Sequence, residues 1–458
     1  MIMNTYLFYD LETTGLNKAF DQILQFAAIR TDIRFNEIER HEFYVKLRPD
    51  IIPSPQASVT HRISIAKSMQ QGICEFEAVQ KIHRLINQPN TISIGYNTLK
   101  FDDEFLRFCF YRNLLAPYTH QYKNSCRRMD LLPIVTMYFL YKNDVFKWAD
   151  GDGKISLQLE HLNKLNHFTS SGQAHNAMVD VEATAELARR LFLTDSKMWE
   201  YLDGYFNKDT DAMRIIEMPI EFHSIACSNR IGLMVANQFG LANKYQIPVL
   251  LIGNSIAYKK QTLWLRLDQE SLPEKAWVIR KKYGEPNIVL PPHQRYWKHI
   301  SKDREAIVEK NIKWLQTNTR LFNEIIQYNR EFRYPEIANL DSDAALYKNG
   351  FLSKSEENLC ESFHATSSIK KRIELVSQFE NVEMRQLASR ILCRNYADQK
   401  LPSMLTNDFA EVNALLDYTG KPRLTISQAM NDIDDLRKNT ELDAEQITLL
   451  EELVKLLA

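Results

Sequence analysis

The chain has almost no net charge: 57 Lys and Arg stand against 58 Asp and Glu, which leaves −1. That balance neither supports nor excludes a nucleic-acid partner, because local basic surfaces matter more than the sum. Six cysteines (74, 109, 126, 227, 360 and 393) include no Cys-x-x-Cys pair and no clustered metal spacing, which argues against a thiolate metal site or a dithiol redox centre. They read as reduced, inert thiols of a reducing compartment. No uninterrupted apolar run approaches a membrane span. No low-complexity tract argues for disorder. Met1-Ile2-Met3-Asn4-Thr5 lacks the basic and apolar regions of a secretory leader, so a cytoplasmic protein is expected.

What is present is ample material for packed interiors: 45% of 458 residues are hydrophobic, enough for about three domains. Residues 1–195 alternate strand-like and helix-like patterns, with strands expected at Tyr6–Tyr9, Gln25–Thr31, Phe43–Leu47 and Thr91–Ile94. Helices are expected at Phe101–Arg112 and Asp180–Phe192. Such alternation predicts an α/β domain with a mixed central sheet. Residues 198–342 read as a smaller β-rich domain, with strands at Pro248–Ile252, Gln261–Asp268 and Ala276–Ile279. Lys259, Lys260, Arg280, Lys281, Lys282, Arg295 and Lys298 are interleaved there with Trp264, Tyr283, Tyr296 and Trp297. Basic residues beside aromatics suit a single strand, which needs phosphate neutralisation and base stacking. Solvated charges beside core aromatics explain any one of these residues equally well. Residues 345–458 read as helical, ending on a helix with Asp443 as N-cap and Gln446 at its third position.

The chemistry is concentrated in the first 180 residues. An apolar run delivers Asp10-Leu11-Glu12-Thr13-Thr14-Gly15, and strand alternation points Asp10 and Glu12 to the same side. Two adjacent carboxylates repel unless a cation sits between them, and Mg²⁺, with its preference for oxygen ligands, is the natural occupant. Asn97-Thr98-Leu99-Lys100-Phe101-Asp102 and His175-Asn176-Ala177-Met178-Val179-Asp180 supply two further carboxylates and a histidine able to take a proton from water. Taken singly, each segment has an ordinary explanation: solvated charges, an acidic helix start, a loop histidine. Together, in this order, they suggest a two-metal site for phosphodiester hydrolysis. Asp103 follows Asp102 directly, and the sequence alone does not say which of them reaches the metal.

The order Asp-x-Glu, Phe-Asp and His-x-x-x-x-Asp resembles the histidine-bearing branch of the DEDD 3′→5′ exonucleases, whose fold is ribonuclease H-like. Within that superfamily, Gln25–Asp32, Gly95-Tyr96-Asn97, Phe101–Glu104, Phe110–Asn113 and Ala174-His175 are similar to the bacterial exonuclease I family. The resemblance implies Asp10, Glu12, Asp102 and Asp180 as metal carboxylates for two Mg²⁺ ions, with Mn²⁺ as a substitute, and His175 as general base. Asp102 is preferred to Asp103 because it follows Phe101, as in the motif. Glu12 and Gln158 are implied to touch substrate; where Gln158 stands, relatives have a basic residue, and Gln donates a hydrogen bond but neutralises no charge. The middle domain is implied to be Src-homology-3-like and the last one helical, beginning near Ala345-Leu346-Tyr347-Lys348-Asn349-Gly350-Phe351.

The expected activity is processive 3′→5′ hydrolysis of single-stranded DNA to 5′-mononucleotides in DNA repair and recombination. The expected partners are single-stranded DNA and the single-strand binding protein, with no membrane and a monomeric enzyme. An exoribonuclease or proofreading-type exonuclease, and a non-catalytic single-strand-binding protein on this fold, are the competing readings.

Overall fold

The computed structural model describes residues 4–169, 176–270, 272, 274–348, 350–396, 401, 402, 405 and 415–457. The first strand, β1 (Thr5–Thr13), is apolar on both faces. Leu7, Tyr9 and Leu11 enter one core with Phe105, Leu106 and Phe110, while Tyr6 and Phe8 enter another with Ala177, Val181 and Leu187. The even-numbered series continues through Asp10 and Glu12, so both carboxylates lie on the face that the helix Ala177–Thr194 covers. After β1 the chain turns at Gly15, where an added Cβ would lie 2.4 Å from the Asp21 carboxylate and would displace it from its hydrogen bonds to Thr14 and Asn17.

With β2 (Ile23–Thr31), β3 (Glu37–Tyr44), β4 (Thr91–Gly95) and β5 (Arg127–Asp130), β1 forms a sheet of order β3-β2-β1-β4-β5. β3, β2 and β1 pair antiparallel, and β1, β4 and β5 pair parallel. This is the mixed sheet the alternation predicted. β5 went unpredicted because Arg-Arg-Met-Asp lacks an apolar run; Arg128 is buried there by ion pairing, not by hydrophobicity.

The middle of the chain forms a second sheet from β6 (Ile220–His223), β7 (Ser228–Val235), β8 (Gln246–Asn254), β9 (Gln261–Arg266), β10 (Val278–Lys282) and β11 (Ile288–Leu290). Its order is β10-β9-β8-β7-β11 with β6 beside β7, and every pair is antiparallel. Leu263, Leu265 and Leu267 share a face and pack on the helices Lys302–Thr317 and Thr319–Glu331. Trp264, on the opposite face, is fully buried, and its Nε1 donates to Thr262 Oγ1 (2.9 Å). The expectation that Trp264 lines a strand-binding groove is therefore corrected: β9 is covered on both sides. Lys281 is also buried, its ammonium 2.7 Å from Asp211, so it is a structural cation. Lys259, Lys260, Lys282, Arg295 and Lys298 are exposed, and Tyr283, Tyr296 and Trp297 are half-buried.

The last part is helical: Lys354–Ala365, Ile369–Val376, Val382–Asn395, Ile426–Asn439 and Ala444–Leu457. Asp443 Oδ1 accepts from Gln446 N (3.0 Å), and Gln446 Oε1 accepts from Asp443 N (3.1 Å), the reciprocal cap expected of the final helix.

The three parts share interiors. Trp199, Leu202, Tyr205 and Phe206 belong to the core that begins at Tyr6, so the first core runs past residue 195. Ala19, Phe20, Phe76, Phe108 and Leu114 share another core with Phe363, Leu387 and Ile391. The short helix Ser342–Tyr347 packs into that core and spans the expected 342/345 boundary. Buried arginines complete the junction: Arg48 and Arg394 hold Asp50 at 3.0 and 2.8 Å, Arg394 and Arg423 hold Asp343 at 2.5 and 2.8 Å, and Arg390 pairs with Asp341.

Candidate active site

Asp10 and Glu12 leave β1 on the face covered by Ala177–Thr194, and that helix carries Asp180 in its first turn. Asn176 caps it, its side chain accepting from Met178 N (3.1 Å), so Asp180 comes from a helix N-terminus, where negative charge is favoured. The result is a half-buried trio whose carboxylate oxygens lie within 4.8 Å of one another.

Burial raises the Asp10 pKa well above its ordinary value, and repulsion from Asp102, Glu12 and Asp180 adds to it. Glu12 is pushed up to about 9 by burial and by Asp180 and Asp102. No cation is among the groups shifting either residue. At Asp10 and Glu12 the repulsion between carboxylates is what a bound cation would relieve. Its donors are all oxygen, which suits a hard divalent ion. Oxygens at opposite corners of a Mg²⁺ octahedron lie about 4.2 Å apart, so small side-chain rotations would close the trio around one ion.

Asp102 opens the helix Asp102–Arg112 at 7% exposure and is raised to about 7, chiefly by burial and further by Asp130 and Asp103, against hydrogen bonding from Thr98. Its charge is felt at Asp10 and Glu12, although it stands outside the compact trio. Asp103 is different. It is fully buried, with Arg107 and Arg128 both at 2.5 Å and His120 Nε2 at 2.8 Å. Burial alone would raise its pKa, but these partners hold it well below the usual carboxylate range. The neighbours thus differ: Asp103 is engaged by Arg107, Arg128 and His120 inside the fold, whereas Asp102 is the one whose charge is felt at Asp10 and Glu12.

The loop ahead of Asp102 is fixed by residues no motif singled out. Asp130 accepts from the backbone N–H of Asn97 (2.9 Å), Leu99 (3.1 Å) and Leu132 (3.0 Å), and Thr98 Oγ1 lies 2.9 Å from the Tyr9 hydroxyl. The only sequence signal for Asp130 was its place before Leu131-Leu132-Pro133, a plausible helix cap. Gln158 is exposed at the N-cap of Leu159–Asn166; its Oε1 accepts from Ser156 Oγ (3.4 Å), and the Tyr96 hydroxyl ties down the neighbouring Leu157 carbonyl. His175 lies outside the described residues.

A family model described as Exonuclease matches residues 7–188, and one described as Exonuclease I C-terminal domain matches residues 340–458. Exodeoxyribonuclease I of Escherichia coli K12 is 30% identical over 381 residues, 77% of this chain and 78% of that protein. The chain belongs to the exodeoxyribonuclease I family. Its fold agrees throughout: a crystal structure of E. coli exonuclease I in complex with a dA16 oligonucleotide superposes with a TM-score of 0.85, covering 99% of both chains at 22% identity. A structure of SSB/exonuclease I in complex with an inhibitor superposes at 0.81, covering 99% of that chain and all of this one at 23% identity. For an exodeoxyribonuclease I family member, the first match covers the whole carboxylate cluster and the last covers the helical region that shares its core.

Proposed function

We propose that the protein removes nucleotides processively from the 3′ end of single-stranded DNA, using a divalent-cation site made of Asp10, Glu12, Asp180 and Asp102. The observation that carries this reading is the trio of oxygen-donor carboxylates within 4.8 Å of one another, in which like-charge repulsion and burial raise Asp10 and Glu12. Family membership supplies the substrate, DNA, and the class of reaction, phosphodiester hydrolysis.

The donor set fits two Mg²⁺ ions, with Mn²⁺ able to replace them: Asp10, Glu12 and Asp180 would hold one, and Asp10 with Asp102 the other. A divalent cation held there stabilises charge building on the phosphoryl oxygens and acidifies the attacking water. The chain's own residues do the rest. Asp102 and Asp180, each in the first turn of its helix, bring their carboxylates to β1 from separate segments. His175, two residues ahead of the helix that carries Asp180, takes the proton from the attacking water. Glu12 and Gln158 meet the terminal nucleotide, with Gln158 offering a neutral hydrogen bond. The exposed Lys259, Lys260, Lys282, Arg295 and Lys298 neutralise phosphates further along the strand.

The role proposed for it is DNA repair and recombination in the cytoplasm, as a monomer, with the single-strand binding protein as partner. The SSB/exonuclease I structure supports that partner, and no helix among the described residues is long and apolar enough to cross a membrane. The test is release of 5′-mononucleotides from end-labelled strands of one sequence, offered as single-stranded DNA, duplex DNA and RNA, with Mg²⁺ or with chelator. Mg²⁺-dependent release that is fastest from the 3′ end of single-stranded DNA is expected. Faster release from RNA would favour the exoribonuclease reading, and binding without release would favour the non-catalytic one.

A further inference from the structure

We propose that Asp130 is a positioning residue for the cation site, setting where Asp102 stands by holding the turn that leads to it. The inference rests on the reading of Asp102 as a metal ligand. Asp130 is the last residue of β5, 2% exposed, and is not a member of the compact cluster. Its Oδ1 accepts from Asn97 N and Leu132 N, and its Oδ2 accepts from Leu99 N. A helix cap for Leu131–Tyr141 needs only the bond to Leu132. The other two bonds go to a different segment, the turn between β4 and Asp102.

That turn needs holding. Asn97 sits at φ 60°, in the left-handed region that non-glycine residues rarely adopt, and Phe101 lies outside helical geometry at φ −125°, ψ −76°. An isolated segment would relax from such angles, and Asp102, the next residue, would move with it. Asp130 grips two N–H groups of the turn, while the Thr98 hydroxyl lies 2.9 Å from that of Tyr9, the neighbour of Asp10. The distance from Asp102 to Asp10 is thereby tied to β1 and β5, the two strands that flank β4, instead of to a free loop. Groups that orient metal ligands from behind commonly change metal affinity or activity by about 10–100-fold when altered.

Two variants separate this role from capping. Asp130→Asn keeps one carbonyl oxygen but sets an NH₂ donor where the second acceptor stood, so it loses at least one bond to the turn. Asp130→Ser remains a good cap for Leu132 but is too short to reach both Asn97 and Leu99. Full-length variants are compared with wild type and Asp102→Ala in three measurements: melting temperature, Mn²⁺ binding by calorimetry without DNA, and the Mg²⁺ dependence of hydrolysis. Expected for both Asp130 variants is about tenfold weaker binding of one Mn²⁺, a matching rise in half-saturating Mg²⁺, and a kcat about 10–100-fold lower, with KM for DNA changed less than about threefold. Lower melting temperature with unchanged Mn²⁺ and Mg²⁺ parameters would overturn the proposal and leave Asp130 as a cap. If an Asp130 variant does not fold, Thr98→Val, which frees the turn from Tyr9 and leaves the cap intact, is expected to shift the same metal parameters, and unchanged ones overturn the proposal. Wild type that neither binds Mn²⁺ nor depends on Mg²⁺ would instead sink the cation site itself, a result distinct from Asp130 variants matching an active wild type.

Discussion

Asp50, Asp341 and Asp343 are held among Arg48, Arg390, Arg394 and Arg423, whereas Asp10 and Glu12 are shifted by burial and by other carboxylates alone. The same functional group is driven in opposite directions. Burial penalises Asp343 too, but the arginines reverse it and hold the carboxyl well below its usual range. At Glu12 nothing reverses it, and the group rises to about 9. The contrast recurs between neighbours, with Asp103 satisfied by Arg107, Arg128 and His120, and Asp102 left to rise to about 7. A carboxylate group whose charge is balanced inside the chain is a joint. One whose charge is left over is a receptor for a cation from outside. What sets the direction of the shift is the sign of the partners: the arginine-held carboxylates are the more deeply buried ones, yet they are lowered.

The sharpest way to break this comparison is to remove one member of each group. Asp10→Ala or Asp180→Ala is expected to abolish hydrolysis with single-strand binding retained, as read by mononucleotide release and by fluorescence anisotropy in parallel. Turnover near wild type at saturating Mg²⁺ would end the metal assignment. Asp343→Ala should do the reverse, leaving turnover at low temperature nearly intact while destabilising the fold by about 3–5 kcal/mol, because three buried arginines each lose one of their carboxylate partners. Urea denaturation of the two classes of variant would show it, and equal losses would erase the distinction. A smaller effect is expected for His175→Ala, a rate loss on the order of a hundredfold that partly recovers at high pH, where hydroxide needs no base. A rate indifferent to the substitution across the pH range would make His175 structural.

The smallest effect is in the pH dependence of stability. Glu75, held by Arg48 and Arg112 and lowered to about 2, adds stability that is fully present above about pH 4.5 and is lost as pH falls toward 2. Glu12 has the opposite sign: with no cation bound, its raised pKa makes the folded state lose stability as pH climbs from about 4.5 to about 9. Melting temperature against pH, with chelator and then with Mg²⁺, should show the alkaline decline shrink when the ion is present and the acid decline stay unchanged. An alkaline decline indifferent to Mg²⁺ would mean that Glu12 does not meet the ion.

How much of this could be read in advance depends on where the partners come from. Asp10 and Glu12 were legible because strand period two is local, and the apolar residues before them named the strand. The cap of the final helix was legible for the same reason. Trp264 was misread because a strand covered on both faces carries no alternation to mark its inside. Asp103 could not be separated from Asp102, since Arg128 and His120 reach it from segments 25 and 17 residues away. Asp130 was not singled out, because its bonds to Asn97 and Leu99 exist only once β4 and β5 lie side by side.

The core shared by Phe20, Phe76, Phe108 and Leu114 with Phe363, Leu387 and Ile391 bears on how the chain is made. On the ribosome the first set emerges long before the second, and at about 5–20 residues per second the interval is on the order of tens of seconds. During that time an apolar face of the nascent nuclease region has no cover. A nuclease fragment ending near residue 195 would keep that face open permanently, so aggregation is the expected outcome of such a truncation, and chaperone occupancy is expected to peak before the helical region leaves the exit tunnel.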